Sequence, residues 1–321
     1  MNILANDGID AAGRAALEAA GFNVETEAVA QDQLAEVINR ENYIGLLVRS
    51  ATTVRKELID ACPGLRFVGR GGVGIDNIDA EYACSKGIEV FNTPASSSQS
   101  VAELVIALMF AAVRSVYDAG NKMPSNGVSQ FATLKKQYSK GSEIAGKTLG
   151  IIGFGRIGQA LAAYGIGCGM KVIVSDLTQK KTHFAIPIFG QEPVQVPVNY
   201  ASFEEIISTS DFISLHVPKQ PNGAAVLGAA ELSRTKKGVI LINTSRGGVI
   251  DEQALIAALD SGQVRSACLD VFVGEPTPNA ALLAHPKVIA TPHIGASTAE
   301  AQERIGLEIA ENVCRIMGVT V

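Results

Sequence analysis

The sequence predicts an α/β protein with two parallel-sheet domains, and three observations carry that prediction. Short β-like runs alternate with helical patterns from end to end, 321 residues suffice for two hydrophobic cores, and a glycine-rich turn joins one run to a helical pattern. In chain order the runs are Met1–Ala5, Ile44–Val48, Phe67–Val68, Glu89–Phe91, Thr148–Ile152, Lys171–Ser175, Phe212–His216, Val239–Asn243, Ala267–Val271 and Val288–Thr291. Helical segments lie between most of them, the alternation that produces parallel sheets. No internal repeat of fixed period and no low-complexity segment interrupts the pattern. The stretch from Pro187 to Pro197 holds three prolines and reads as a loop or insertion.

Hydrophobic residues make up 47% and charged residues 18% of the chain, the composition of a soluble globular protein. A formal charge of −5 and a pI near 5.5 speak against nonspecific nucleic-acid binding. They leave room for an anionic small-molecule substrate, which a local arginine cluster can hold inside an acidic protein. The opening Met1-Asn2-Ile3-Leu4-Ala5-Asn6-Asp7 lacks the basic region and long apolar core of a signal peptide. The most apolar stretch, Leu104 to Val113, falls far short of the roughly 20 residues that cross a bilayer. It reads as a buried helix, and no membrane partner is expected. Five cysteines (Cys62, Cys84, Cys168, Cys268, Cys314) are widely spaced and form no CxxC pair. Neither a disulfide framework nor a metal site is expected, and a reducing cytoplasm fits best.

Two helix starts frame the domains. Ser100-Val101-Ala102-Glu103 and Ser297-Thr298-Ala299-Glu300 both have capping-box spacing, the first before the apolar stretch and the second before a final helix from Ala299 to Met317. Residues 97–295 are expected to form a cofactor domain. Residues 1–96 and 296–321 are expected to form a discontinuous substrate domain, with a small substrate in the cleft between the two.

The run Thr148–Ile152 leads into Gly153-Phe154-Gly155-Arg156-Ile157-Gly158, a helical pattern follows, and the next run ends at Asp176. Glycines at this spacing permit a tight turn, close approach of the backbone to a pyrophosphate, and close packing of helix on strand. Arg156 and Ile157 open the helix, whose N-terminus offers N–H groups and a positive dipole end. Asp176 falls where an acid accepts hydrogen bonds from ribose hydroxyls, which favours NAD over its 2′-phosphorylated form. The fold class is therefore α/β with two Rossmann-like or flavodoxin-like parallel-sheet domains and the catalytic cleft between them.

Three segments that follow β-like runs offer further chemistry: Asn243 through Gly248, Val273 through Pro276, and Thr291 through Thr298. Ligands of open α/β sheets bind beyond the carboxyl ends of strands, so these segments can face one site. Here the sequence resembles the D-isomer-specific 2-hydroxyacid dehydrogenase family. The matching segments include Val101-Ala102-Glu103, the glycine loop, His216-Val217-Pro218, Asn243 through Asp251, Leu269-Asp270-Val271-Phe272, Gly274-Glu275-Pro276 and Thr291 through Thr298, in the family's order and covering nearly the whole chain.

The resemblance implies Arg246, Glu275 and His293 as catalytic residues. It places His216, Val217, Pro218, Thr244, Ser245, Asp270, Gly295 and Ala296 beside the cofactor with the glycine loop and Asp176. The residue types suit the chemistry. Imidazole can take the substrate hydroxyl proton during oxidation and return it during reduction. A glutamate bonded to it orients the ring and stabilises its protonated form. An arginine grips a carboxylate in a two-pronged geometry that lysine cannot copy. The chain has four histidines, and His216 also ends a β-like run, which makes it the rival to His293.

Val48 through Val54, and Val68 through Asn77, are similar to segments of the phosphoglycerate-oxidising members of that family. The resemblance implies oxidation of 3-phospho-D-glycerate to 3-phosphohydroxypyruvate, the entry to serine synthesis. Gly71, Gly72 and Gly74 would bring N–H groups, Val73 among them, to the substrate carboxylate. Arg49 and Arg70, with the Ser50 hydroxyl, would bind the phosphate, and Arg114 is a further cation for it, from the same or a partner subunit. Ser96-Ser97-Ser98-Gln99 stands where an asparagine-containing loop is often seen, and the Gly-x-Trp stretch upstream of the glycine loop is missing. Only 28 residues follow His293, too few for the serine-sensing domain that many such enzymes carry, so serine is not expected to inhibit. A homodimer is implied by the family. The alternatives are a glyoxylate or hydroxypyruvate reductase on the same scaffold and a non-catalytic NAD-sensing protein, which retention of Arg246, Glu275 and His293 disfavours.

Overall fold

In the N-terminal sheet five strands, β1 (Asn2–Ala5), β2 (Asn23–Glu25), β3 (Tyr43–Val48), β4 (Phe67–Arg70) and β5 (Glu89–Asn92), alternate with four helices. These are α1 (Ala11–Ala19), α2 (Leu34–Arg40), α3 (Lys56–Ala61) and α4 (Ala80–Ser85). Successive strand residues point to opposite faces, and both faces are apolar. Ile3, Leu47 and Phe67 join one core layer, while Leu4, Leu46, Val48 and Val68 join the other. All pairings are parallel, in the order β2-β1-β3-β4-β5. This is the flavodoxin-like doubly wound order, which reverses between β1 and β3.

The computed structural model describes residues 1–319. Continuing along the chain are α5 (Ser98–Arg114), α6 (Val116–Gln137), β6 (Thr148–Ile152), α7 (Arg156–Gly167), β7 (Lys171–Ser175), β8 (His183–Ile186), β9 (Val194–Pro197), α8 (Phe203–Thr209) and β10 (Phe212–Leu215). They are followed by α9 (Ala229–Arg234), β11 (Val239–Asn243), α10 (Glu252–Asp260), β12 (Val264–Leu269), α11 (Ala280–Leu283), β13 (Val288–Ala290) and α12 (Ala299–Met317). Two units result, Met1–Ser100 with the segment from Ala296 onward, and Val101–Gly295.

In the first unit α12 returns to cover the sheet beside α1. The two helices touch through backbone: a Cβ added at Gly13 would lie 2.4 Å from the Gly306 Cα. Ile305, Ile309 and Val313 of α12 complete the layer that holds Ile3, Leu17 and Phe67. Residues 97–100 group with this unit rather than with the second. Arg304 Nε donates to the Ser96 carbonyl at 3.0 Å, and the Ser100 and Thr298 hydroxyls are 2.7 Å apart. Both expected capping boxes shift accordingly. α5 begins at Ser98, so Ser100 lies inside its first turn. Thr298 rather than Ser297 caps α12, accepting from Ala301 N at 3.2 Å.

The second unit holds a six-stranded parallel sheet, β13-β12-β11-β10-β6-β7. A single bridge from Val174 to Tyr200 extends its edge, which reproduces the Rossmann order with the third strand reduced to one residue pair. β10 and β11 are buried at every position, as inner strands of a sheet covered on both faces must be. The proline-rich stretch read as a loop is in part an antiparallel hairpin. β8 pairs with β9 from His183↔Pro197 to Ile186↔Val194, and Phe184 packs edge-on against Phe154 of the glycine loop at 5.4 Å. Prolines at 187, 193 and 197 hid this short pairing, since proline lowers any strand expectation. Among the described residues no single helix is long and apolar enough to cross a membrane.

Candidate active site

The second sheet reverses between β6 and β10, and the glycine loop leaves β6 at that point. Gly153 has φ +94°, and a Cβ there would meet the His216 carbonyl oxygen at 2.4 Å. A Cβ at Gly158 would lie 2.3 Å from the Gly153 carbonyl oxygen, whereas nothing lies within 4 Å of the one built at Gly155. The loop is thus packed where it must turn and open where a pyrophosphate would come close. No side chain caps α7 and no acid sits in its first turn, so its positive end faces outward with Arg156 exposed and Ile157 half-buried.

Asp176 follows β7 and braces this loop. Its Oδ2 accepts from Phe154 N at 2.7 Å, and its Oδ1 accepts from Thr178 N at 2.8 Å and the Thr178 hydroxyl at 3.1 Å. Partial burial alone would raise its carboxyl pKa, but these donors outweigh that and hold it below the usual range. A carboxylate offers about four lone-pair sites, so capacity remains for a ribose hydroxyl. The Thr244 hydroxyl, buried and without a partner in the protein, is a further polar group for a ligand to satisfy. The open glycine cradle, the charged acid and this orphaned hydroxyl fit NAD.

His216 and half-buried Val217 follow β10, with Pro218 exposed beyond them. The His216 Nε2 lies 2.9 Å from the Ser214 hydroxyl, and its Nδ1 is buried without a partner. Burial of the ring pushes its pKa down to about 4. Above pH 6.5 neither the folded nor the unfolded chain protonates this ring. Below it only the unfolded chain does, so stability drains away between pH 6.5 and 4, by about 3 kcal/mol in full. H216N keeps a partner for Ser214 and removes this term. Its melting temperature is expected to fall less than the parent's from pH 7 to 4.5. Parallel curves would show that the ring titrates normally.

The three proposed catalytic residues sit beyond β11, β12 and β13, which pair in register through Asn243↔Leu269 and Leu269↔Ala290. Asn243 builds the Arg246 turn. Its Oδ1 accepts from Ser245 N at 3.0 Å and the Ser245 hydroxyl at 2.8 Å, and its Nδ2 donates to the Arg246 carbonyl at 2.9 Å. Arg246 Nη1 donates to the Ser245 carbonyl at 2.7 Å. Next to it, Gly247 lies hard against the Phe272 carbonyl, 1.9 Å from where a Cβ would stand.

The loop after β12 carries Glu275. Its Oε1 accepts from Phe272 N at 2.8 Å, and its Oε2 lies 2.8 Å from His293 Nδ1. With Nδ1–H directed at the carboxylate, Nε2 is the nitrogen left for a reacting group. His293 has φ +55°, a left-handed conformation uncommon outside glycine, and its side chain is 42% exposed. Asp270 supports that turn from beneath. It is 1% exposed and accepts from the Thr291 hydroxyl at 2.6 Å, Ile294 N at 2.8 Å and Gly295 N at 2.8 Å. The Ala296 carbonyl accepts from Gln302 Nε2 at 2.7 Å. Glu275 and His293 are in direct contact, and Arg246 belongs to the adjoining loop. His216 is bonded to neither.

In the first unit Arg49 and exposed Ser50 follow β3, and Arg70 ends β4 in register with Val48. Arg70 Nε donates to the Arg49 carbonyl at 3.3 Å. The expected fan of glycine N–H donors is smaller than the sequence implied. Gly71 N donates to the Val48 carbonyl at 2.9 Å and Gly72 N to the Arg70 carbonyl at 3.0 Å, which leaves Val73 and Gly74 in this turn. Arg114 belongs to the second unit, at the end of α5, where its side chain packs against Gly141. Sequence reasoning missed Asp7, Asn77 and Asn243 as builders of these loops. Asp7 and Asn243 carried one signal, an Asp or Asn at or just beyond the end of a strand, where such side chains bond loop backbone, whereas Asn77 lies seven residues past β4.

The family model for the NAD binding domain of D-isomer specific 2-hydroxyacid dehydrogenases matches residues 106–295. A hydroxypyruvate reductase of Thermotoga maritima is 40% identical over 93% of this chain and 92% of its own length. A D-3-phosphoglycerate dehydrogenase of Mycobacterium leprae is 42% identical over 84% of this chain, which spans about half (48%) of that relative's length. The crystal structure of a glyoxylate reductase from Paecilomyes thermophila superposes with a TM-score of 0.82 at 29% identity, covering 100% of this chain and 96% of its own. The chain belongs to the D-isomer specific 2-hydroxyacid dehydrogenase family, and its cofactor is NAD.

Proposed function

We propose that this chain oxidises 3-phospho-D-glycerate to 3-phosphohydroxypyruvate, the first step of serine biosynthesis. The observation that carries the reading is the pair Arg49 and Arg70, joined through the Arg49 carbonyl at the carboxyl ends of β3 and β4. An unphosphorylated hydroxy acid has no use for two further guanidinium groups, whereas a phosphate matches them in charge and geometry.

NAD, when bound, supplies the acceptor for the hydride leaving C2. His293 takes the hydroxyl proton at Nε2 and returns it in the reductive direction. Glu275, anchored on Phe272 N, holds the ring in that orientation and balances the imidazolium charge. Arg246 grips the carboxylate and draws electron density from the C2 oxygen. Arg49, Arg70 and the Ser50 hydroxyl take the phosphate, and the turn at Val73 and Gly74 approaches the carboxylate.

R49A is expected to raise the KM for 3-phosphohydroxypyruvate by about ten- to a hundredfold, the loss of charge-assisted hydrogen bonds. The KM for hydroxypyruvate should hardly move. An unchanged KM for the phosphorylated acid would remove the phosphate contact from the account. The second reading, a hydroxypyruvate reductase, is favoured by the Thermotoga relative, which matches this chain over nearly its full length. We further propose a cytoplasmic homodimer. Its support is the set of five unpaired cysteines and the exposed Tyr117, Val128 and Phe131 on α6.

A further inference from the structure

The first unit has its own point of strand-order reversal, between β1 and β3, and open α/β sheets bind ligands beyond the carboxyl ends of strands at such points. The chain leaving β1 there is Asn6-Asp7, and the chain leaving β3 is Arg49-Ser50-Ala51-Thr52. The two are bonded across the reversal by one carboxylate. Asp7 Oδ2 accepts from Arg49 N at 2.6 Å and from Thr52 N at 3.1 Å, and Asp7 Oδ1 accepts from the Thr52 hydroxyl at 2.6 Å.

The same arm is held from its other side. Asn77 Nδ2 donates to the Arg49 carbonyl at 2.9 Å and to the Thr52 carbonyl at 2.7 Å. Asn6 Nδ2 donates to the Thr52 hydroxyl at 2.8 Å, and Thr52 is 3% exposed. Both ends of the arm are therefore fixed, and the Arg49 and Ser50 side chains stand on the fixed segment. Asp7 reaches Arg49 through its backbone N–H. Among the described residues no carboxylate forms an ion pair with the Arg49 guanidinium, so its charge is kept for an anion.

We propose that Asp7 is a positioning residue for recognition of the substrate phosphate. It sets the conformation of residues 49–52 so that the guanidinium and the Ser50 hydroxyl are presented together. This inference rests on the reading that Arg49 binds the phosphate. It assigns Asp7 no proton transfer and no contact with substrate. A preset arm spends less binding energy on ordering itself, which is why its loss appears in KM for the phosphorylated acid.

The test measures NADH oxidation by the full chain with 3-phosphohydroxypyruvate and with hydroxypyruvate, for the parent and for D7A, D7N, T52V and R49A. D7A is expected to raise the KM for the phosphorylated acid about tenfold, the loss of hydrogen bonds to a charged group. Its kcat should stay within about twofold, and its KM for hydroxypyruvate should not change. D7N should recover most of the loss, because its amide oxygen still accepts from both N–H groups and its NH2 can donate to Thr52. A merely structural role would instead affect both substrates alike. If D7A does not fold, T52V carries the test, with a smaller rise confined to the phosphorylated acid. An unchanged or equally shifted KM in D7A or T52V, beside a selective rise in R49A, overturns the role of Asp7 alone. No rise in R49A overturns the phosphate reading and this inference with it.

Discussion

Replacing His293 with glutamine is expected to lower kcat by about 10²- to 10⁴-fold, the contribution of a positioned proton acceptor. The substitution leaves the surrounding turn intact, because that turn is held by backbone and by Asp270. Ile294 N, Gly295 N and the Thr291 hydroxyl all bond to the Asp270 carboxylate, and none of these bonds involves the ring. Glutamine can still donate to Glu275, but it has no basic nitrogen to take the hydroxyl proton. NADH affinity should stay within a few-fold of the parent, since the glycine loop, Asp176 and the Thr244 hydroxyl, the groups that fit NAD, are untouched by the substitution. NADH fluorescence on titration measures that separately, and the chain has no tryptophan to interfere. A loss of less than tenfold would shift attention to His216, the other histidine at a strand end.

The second large effect is expected from a residue that touches no substrate. In G247A the added methyl carbon would stand 1.9 Å from the Phe272 carbonyl oxygen, 2.1 Å from its carbon and 2.6 Å from Val273 N. Backbone cannot be moved aside as a flexible side-chain end can, so one loop must shift. Either shift is costly. Arg246 is the residue before Gly247, and Phe272 N holds the Glu275 carboxylate that orients His293. Displacement of reacting groups by about 1 Å can cost 10²-fold, and G247A disturbs two loops together. We expect kcat/KM to drop at least that far while NADH still binds. Activity near the parent's would show that the loops after β11 and β12 are not the rigid frame described here.

Much of the fold was legible because inner strands of parallel sheets read as unbroken apolar runs. β10 and β11, buried at every position, fell where the sequence put them to within one residue. β2 did not, because a three-residue edge strand with one buried side chain carries no pattern. The hairpin β8–β9 was hidden by its prolines and by its exposure. The helix starts were misread by three residues at α5 and by one at α12. Spacing identifies a cap candidate, but neighbouring serines and threonines compete for the role, and Ser100 is bonded instead to Thr298.

The site was legible to a different depth. The glycine loop and Asp176 stand in a segment whose spacing carries chemical meaning, whereas Arg246, Glu275 and His293 were singled out by the family resemblance of theirs. The residues that aim them were not visible. Asp7 reaches Arg49 across 42 positions, Asp270 reaches Ile294 across 24, and no local pattern encodes bonds of that reach. Only the order of strands in the sheet brings such partners together.

Steady-state oxidation of NADH by the purified chain, with 3-phosphohydroxypyruvate, hydroxypyruvate, glyoxylate and pyruvate in parallel, tests the central claim most directly. The account predicts turnover, with kcat/KM highest for the phosphorylated acid by about tenfold or more, the value of one charge-assisted contact. A higher kcat/KM for an unphosphorylated acid, or NADH binding with no turnover of any of them, would contradict it.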